Sequence, residues 1–293
     1  MAINKTGTHG AILTNILQEA VFTASERSIA GSLVKVFDMT NTPGLTAQVP
    51  VYPEITAAAL TEGTDLTAQT SVNPTSVTIE ASEIGVRADI TDLLRESSAR
   101  DVAQDVGGII GRSIGEKVDT DVFSQFDSFT TNRLGTGGTD LTPDLILQAV
   151  YKLRAQNAPT DAQGDYFGVF APAAIQNVAK VLTSSGFTQA ASNVGSAMTD
   201  VGNNLLNSSA FLGRIYNVKL FMSTTVSVDS ANDSIGAVFS PEALGHVIKR
   251  PITVKEHYDP SARATEYIGT TARGNAVLKE AYGCRIKSEA VVD

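Results

Sequence analysis

Residues 98–129 read SARDVAQDVGGIIGRSIGEKVDTDVFSQFDSF, and the fold is read outward from them. Val102, Val106, Ile109, Ile110, Ile114, Val118, Val122, Phe126 and Phe129 recur at helical spacing. The period predicts one helix of about thirty residues, near 45 Å long at about 1.5 Å per residue. Ser97 or Ser98 can cap its first amides, and Asp101 and Asp105 sit at the positive end of its dipole. Arg112 and Glu116 are spaced for an ion pair one turn apart. Gly107, Gly108, Gly111 and Gly115 interrupt the run, each at a cost of about 1 kcal/mol against alanine. A long helix weakened in this way needs something packed closely along it, and strands on one side are the expected partner.

Upstream of the helix, residues 1–44 form an arm with a modest apolar patch (Ile12, Ile16, Ala20, Phe22), too short a helix to stand alone. The arm closes on the turn signal Asn41-Thr42-Pro43-Gly44. From Thr46 to Ile55, Val49, Val51 and Ile55 alternate with Gln48, Pro50 and Tyr52, and the prolines give this strand a free edge. A polar tip follows to Pro74. The chain then returns with Val77, Ile79 and Ala81 on one face, and after Ser82-Glu83 the parity changes to Ile84, Val86, Ala88 and Ile90. A parity change in mid-strand predicts a bulge or bend. A long two-stranded hairpin has no core of its own and must lie on something.

Downstream, Leu134-Gly135-Thr136-Gly137-Gly138 lacks the Gly-Lys-Ser/Thr ending of a phosphate loop and reads as a linker. Thr142-Pro143-Asp144 opens a helix through Leu153. A strand at Tyr166–Phe170 precedes a helix from Ala171-Pro172, and 186–209 reads as a surface loop. A turn and strand fall in Leu212–Met222, and a further strand spans Ile235–Phe239. Ser240-Pro241-Glu242-Ala243 reads as a short helix opening. Extended segments follow at Ile252–Lys255, Thr265–Thr271 and Asn275–Ile286.

Charge is segregated along the chain. Val36–Val86 carries Asp38, Glu54, Glu62, Asp65, Glu80 and Glu83 and no Lys or Arg. The tail carries Lys249, Arg250, Lys255, Arg263, Arg273, Lys279, Arg285 and Lys287. This pattern suits self-complementarity between copies of the chain. The candidate contacts between subunits are Glu54, Glu62 and Asp65 on the acidic arm, with Lys249, Arg250, Arg263 and Arg273 on the basic surface.

The net charge of −9 over 293 residues argues against a protein whose main task is gripping nucleic acid. No apolar run approaches the roughly eighteen residues of a membrane span, and the N-terminus is too polar for a signal peptide. The one cysteine, Cys284, excludes an internal disulfide and reads as a small packing residue. His9, His246 and His257 lack metal-ligand spacing. Asp119 and Asp121 read as a solvated face, and His257-Tyr258-Asp259 as loop residues. Neither a nucleophile elbow nor a zinc-protease helix is present. No catalytic, cofactor or metal site is expected, so the chain does not read as an enzyme.

The order arm, hairpin, long helix, mixed region and terminal strands resembles the major capsid proteins of tailed bacteriophages, the Hong Kong 97-type fold. Local phrases share this likeness: Val169-Phe170-Ala171-Pro172-Ala173, Leu212-Gly213-Arg214-Ile215-Tyr216-Asn217-Val218 and Glu280-Ala281-Tyr282-Gly283-Cys284-Arg285-Ile286. The resemblance implies an α+β fold with an N-terminal arm (1–44), an extended β-hairpin loop (45–90), a peripheral domain holding the spine helix (91–137 and 251–282) and an axial domain (138–250 and 283–293). It implies pentons and hexons of one chain, assembled in the host cytoplasm into an icosahedral shell around double-stranded DNA. Scaffolding, portal and cement proteins are the implied partners. A scaffolding segment, if used, is expected to be separate or removed, given the short arm. Some members weld subunits through a lysine on the extended loop, but no lysine lies between Lys35 and Lys117, so non-covalent contacts or a cement protein are expected. A nanocompartment shell of the same fold and an unrelated α+β enzyme are the alternatives.

Overall fold

The computed structural model describes residues 16–25, 28–53, 55, 57, 59, 62–63, 72–97, 102–184 and 211–291. The expected loop at 186–209, most of the hairpin tip and the helix start at 98–101 lie outside the described residues. Helix α1 (residues 16–25), helix α2 (Ala30–Leu33) and strand β1 (Lys35–Asp38) make up the described part of the arm. Strands β2 (Thr46–Val51) and β3 (Thr75–Glu80) form a hairpin in the register Thr46↔Glu80 to Val51↔Thr75. Then come β4 (Ser82–Thr91) and the short helix α3 (Asp92–Ser97).

The central helix, α4, runs Val102–Phe123. Its 22 residues span about 33 Å, and Ser124–Ser128 tightens into a 3₁₀ turn. The expected helix to Phe129 is therefore too long at its C-terminal end. The reason lies in the core. Val106, Ile110, Ile114 and Val118 pack with Ile90, Ile252, Val254 and Tyr267, whereas Val122, Phe123, Phe126 and Phe129 belong to a second core. Phe126 leaves the helical path to stack on Phe123 and meet Phe239, with centroids 5.3 and 5.4 Å away. Ile109, expected on the apolar stripe, is more than half exposed. Ser97 does not cap α4; it lies in α3, and its hydroxyl donates to the carbonyl of Leu94. The ion pair along α4 is Lys117–Asp121 at 2.7 Å, rather than Arg112–Glu116.

Strands β10 (Leu244–Asp259) and β11 (Ala264–Val277) form the long antiparallel centre of a four-stranded sheet, ordered β1-β10-β11-β4. β1 joins β10 in parallel. The register slips on either side of Arg250, next to Pro251, whose missing N–H cannot continue a ladder. The parity change after Ala81 is where the chain leaves one sheet for another. β3 pairs with β2, whereas β4 pairs with β11.

A six-stranded sheet holds the second core in the order β5-β12-β9-β6-β8-β7. Its strands are β5 (Arg133–Leu134), β6 (Tyr166–Phe170), β7 (Phe211–Ile215), β8 (Val218–Met222), β9 (Asp233–Phe239) and β12 (Gly283–Glu289). Helices α5 (Pro143–Ala155) and α6 (Pro172–Ser184) accompany it, and Thr142 caps α5 as expected, accepting from the amide of Leu145 at 3.4 Å. Two expectations fail here. Pro241–Ala243 is a turn into β10 rather than a helix. Asn275–Ile286 is not one extended segment, because a 3₁₀ turn at Glu280–Tyr282 separates β11 from β12 and carries the chain between sheets. Gly283 is required at that crossing, since a Cβ there would sit 2.3 Å from the Phe129 ring.

Candidate inter-subunit surface

The root of the hairpin lies on its own chain. Ile79 is fully buried with Met39 and Val247, and Phe37, Ala47, Val49, Ala276 and Leu278 pack around them. The apolar alternation of β2 and β3 thus finds its partner within the subunit. Tyr52, Ile55 and Val72, further out, are exposed. Glu62 is exposed in a turn with Gly63, which has φ of 80°. Glu54 and Asp65 lie outside the described residues.

The four candidate cations differ sharply in environment. Lys249 donates to the carbonyl of Met39 at 3.3 Å and to that of Thr42, closing the arm's own turn. Arg250 pairs with Glu83 of the same chain, and its buried Nε has no partner. Arg263 is exposed in the β10–β11 turn at φ of 49°, its carbonyl accepting from the amide of Asp92 at 3.0 Å. Arg273 is half-buried on β11, and its Nε donates to Thr271 Oγ1 at 3.2 Å. It has no carboxylate partner among the described residues, and burial pulls its guanidinium below the usual arginine range. The register sets Lys249 and Arg250 beside Arg273 across β10 and β11, whereas Arg263 stands apart in the turn that joins the two strands.

Sequence reasoning missed three other features. Asp119 is 3% exposed, not on a solvated face. Its carboxylate accepts from Ser28 Oγ at 2.6 Å and from the amides of Ile29 and Ala30, both at 3.1 Å. The spine helix thus caps α2 from ninety residues away, and burial pushes the carboxyl pKa up against those hydrogen bonds. Two of the helix glycines serve the arm rather than strands. A Cβ at Gly107 would lie 2.7 Å from the Ile16 carbonyl oxygen, and one at Gly111 2.4 Å from that of Ala20, so α1 rests directly on α4. Where a strand does approach α4, the glycine is on the strand: a Cβ at Gly269 would lie 2.4 Å from Ile110.

The third feature is the glycine loop after β5, which is packed rather than a free linker. Gly138 N donates to Asp233 Oδ1 at 2.7 Å, and a Cβ at Gly137 would sit 2.2 Å from Asp233 Oδ2. Lys287 neutralises that carboxylate at 3.1 Å and Asp229 at 2.9 Å.

Among the described residues, nothing assembles a nucleophile with a base. Tyr258 donates to Asp92 at 2.8 Å, and Asp259 is taken up by the amides of Ser261 and Ala262. His257 therefore neighbours turn chemistry. Cys284 is buried, and burial pushes its thiol up to about 12, away from thiolate reactivity. Among the described residues no cluster of His, Cys, Asp or Glu is arranged to hold a metal ion. No described helix is long and apolar enough to cross a membrane.

The architecture is α+β and is that of the Hong Kong 97-type phage capsid fold, with N-terminal arm, extended hairpin, spine helix and two sheet-centred regions. Among solved structures, the capsid of Ralstonia phage GP4 superposes with a TM-score of 0.69 at 10% identity, over 88% of this chain and 87% of that one. A chain of Mycobacterium phage Che8 gives 0.66 at 16% identity, over 88% and 90%. A virus-like particle from Pyrococcus furiosus gives 0.60 at 11% identity, over 94% and 98%. No protein-family profile and no curated protein sequence matches the chain. The likeness is thus one of fold.

Proposed function

We propose that the chain is the major capsid protein of a tailed bacteriophage, self-assembling through pentons and hexons into the icosahedral head around double-stranded DNA. The observation that carries this reading is the end-to-end match to phage capsid chains, with close to nine-tenths of each partner aligned. Location in the virion follows from it. The acidic balance of the chain supports a container that encloses duplex without gripping its phosphates. The arm (1–44), extended loop (45–90), peripheral domain (91–137 and 251–282) and axial domain (138–250 and 283–293) are its working parts. Contacts of Glu54, Glu62 and Asp65 with cations of a neighbour are heterologous, the kind that closes rings. Separate scaffolding, portal and cement proteins would complete the head.

Purified protein is expected as megadalton particles or as unassembled chain by size-exclusion chromatography. Imaging should show closed shells, and phage-derived shells should contain duplex DNA. A small discrete oligomer as the sole species would overturn the shell. Particles that form without nucleic acid and carry a protein cargo instead would favour a nanocompartment. On a denaturing gel the chain should run as one band, since residues 36–116 contain no lysine for a weld. A covalent ladder would contradict this.

A further inference from the structure

We propose that the polar cleft around His246 binds a small oxoanion that keeps a proton, inorganic phosphate being the simplest, whose hydroxyl donates to His246 Nε2. The site belongs to the single chain and stands whether or not shells form. His246 is 1% exposed on β10. Its Nδ1 faces Asn275 Oδ1 at 2.5 Å, so in the neutral ring Nδ1 carries the hydrogen and Nε2 is an acceptor. That acceptor is buried without a partner among the described residues, and a buried polar atom left unpaired is costly. Nε2 therefore calls for a ligand that brings a donor. At about 310 Å³ the cleft has room for far more than a single water, which needs about 10–15 Å³.

Among the described residues, the charged groups lining the cleft come from three elements. Lys117 and Asp121 stand on α4 and pair with each other at 2.7 Å. Glu80, at the end of β3, is exposed, and Arg273, on β11, is half-buried. β1, which pairs with β10 at His246, contributes no described lining residue. Burial lowers the His246 pKa, and Arg273 is near enough to add to that effect. Burial also holds the Arg273 guanidinium below its ordinary range, and an anion beside the two groups would oppose both shifts. The cleft thus sets a positive group near an unfilled acceptor. A fully ionised oxoanion answers only the first and an alcohol only the second. An oxoanion that keeps a proton answers both.

The test is isothermal titration calorimetry on the full-length unassembled chain near neutral pH, with phosphate and sulfate compared at matched ionic strength. Phosphate keeps a proton under those conditions and sulfate keeps none. Saturable phosphate binding is expected, at least about tenfold tighter than sulfate, as one charge-assisted hydrogen bond supplies. His246→Asn retains a nitrogen donor toward Asn275 and removes the acceptor, so it should weaken phosphate by about tenfold and abolish the preference. As pH falls through the His246 titration, Nε2 becomes a donor. Sulfate should then gain on phosphate in the parent chain and not in His246→Asn. Comparing two anions on the parent chain decides the matter even where the variant fails to fold. Absence of saturable phosphate binding by the parent chain overturns the site and leaves the cleft to water. Equal affinity for the two anions near neutral pH, or an unchanged preference in His246→Asn, overturns the role of Nε2. A gain for sulfate at low pH that persists in His246→Asn belongs to Glu80 and Asp121 and overturns its assignment to His246.

Discussion

At the scale of single residues, the least compensated groups lie where α4 meets β10 and β11. His246 on β10 is 1% exposed. Its Nδ1 bonds Asn275 Oδ1 at 2.5 Å, whereas Nε2 has no partner. It faces a polar cleft of about 310 Å³ with Glu80, Lys117, Asp121, Arg273 and Asn275 around it. Burial is the main force lowering its pKa, the Asn275 bond opposes that, and Arg273 adds to it. A histidine whose folded pKa lies below its unfolded value, about 6.5, favours the neutral form in the folded state. Its contribution to stability is complete above pH about 6.5 and is lost as pH falls through the folded value. The thermal midpoint of the unassembled chain should therefore decline as pH falls below about 6.5. His246→Gln should flatten that part of the profile, and an unchanged profile would show that His246 does not cause the decline.

At the scale of elements, the contact between α1 and α4 makes a prediction from two neighbouring glycines. Gly108 has nothing within 4 Å of where a Cβ would stand, whereas Gly111 would place one 2.4 Å from a backbone oxygen of α1. Gly108→Ala should stabilise the chain by about 0.5–1 kcal/mol through helix propensity. Gly111→Ala should destabilise it by about 1–3 kcal/mol and speed proteolysis within the arm. Urea denaturation of the two variants checks the contrast, and equal effects would remove the close-packing account.

The sequence announces those glycines but not their purpose, because the helix they admit is some ninety residues away. Local chemistry was easier to read. Thr142 and Pro143 start α5 by capping alone, and the parity change after Ala81 marks a true break. The end of α4 was hidden because Phe126 and Phe129 keep helical spacing while serving another core. The candidate contacts were half legible: charge segregation shows in the sequence, but Arg250 meets a glutamate 167 positions away, which no local pattern reveals.

At the scale of the whole molecule, the acid-only hairpin and the cation-rich tail predict an electrostatic contact between copies of the chain. Glu62 is exposed, and substitutions at exposed positions ordinarily move stability by about 0.5 kcal/mol or less, so the test is the charge reversal of Glu62 and Asp65 to lysine. The double variant should fold with an unchanged thermal midpoint and fail to form particles by size-exclusion chromatography. Normal particles would count against docking by the acidic tip.

The passage from β3 to β4 has a mechanical consequence. One residue, Ala81, joins the hairpin to the four-stranded sheet, its amide bonded to the carbonyl of Leu45 at 2.8 Å. Gly274 lies against the adjoining Glu80 carbonyl so closely that any side chain there would collide with it. The six-residue strands β2 and β3 pack at their root on Met39 and Val247, and their outer ends project from it as a lever. At an arm length of about 20 Å, a tilt of about 10° at Ala81 carries the tip through ~3–4 Å while the ladder between β4 and β11 stays in register. If the chain assembles as proposed, such a tilt would let identical copies meet at unequal angles and take up differences in local curvature within the hairpin.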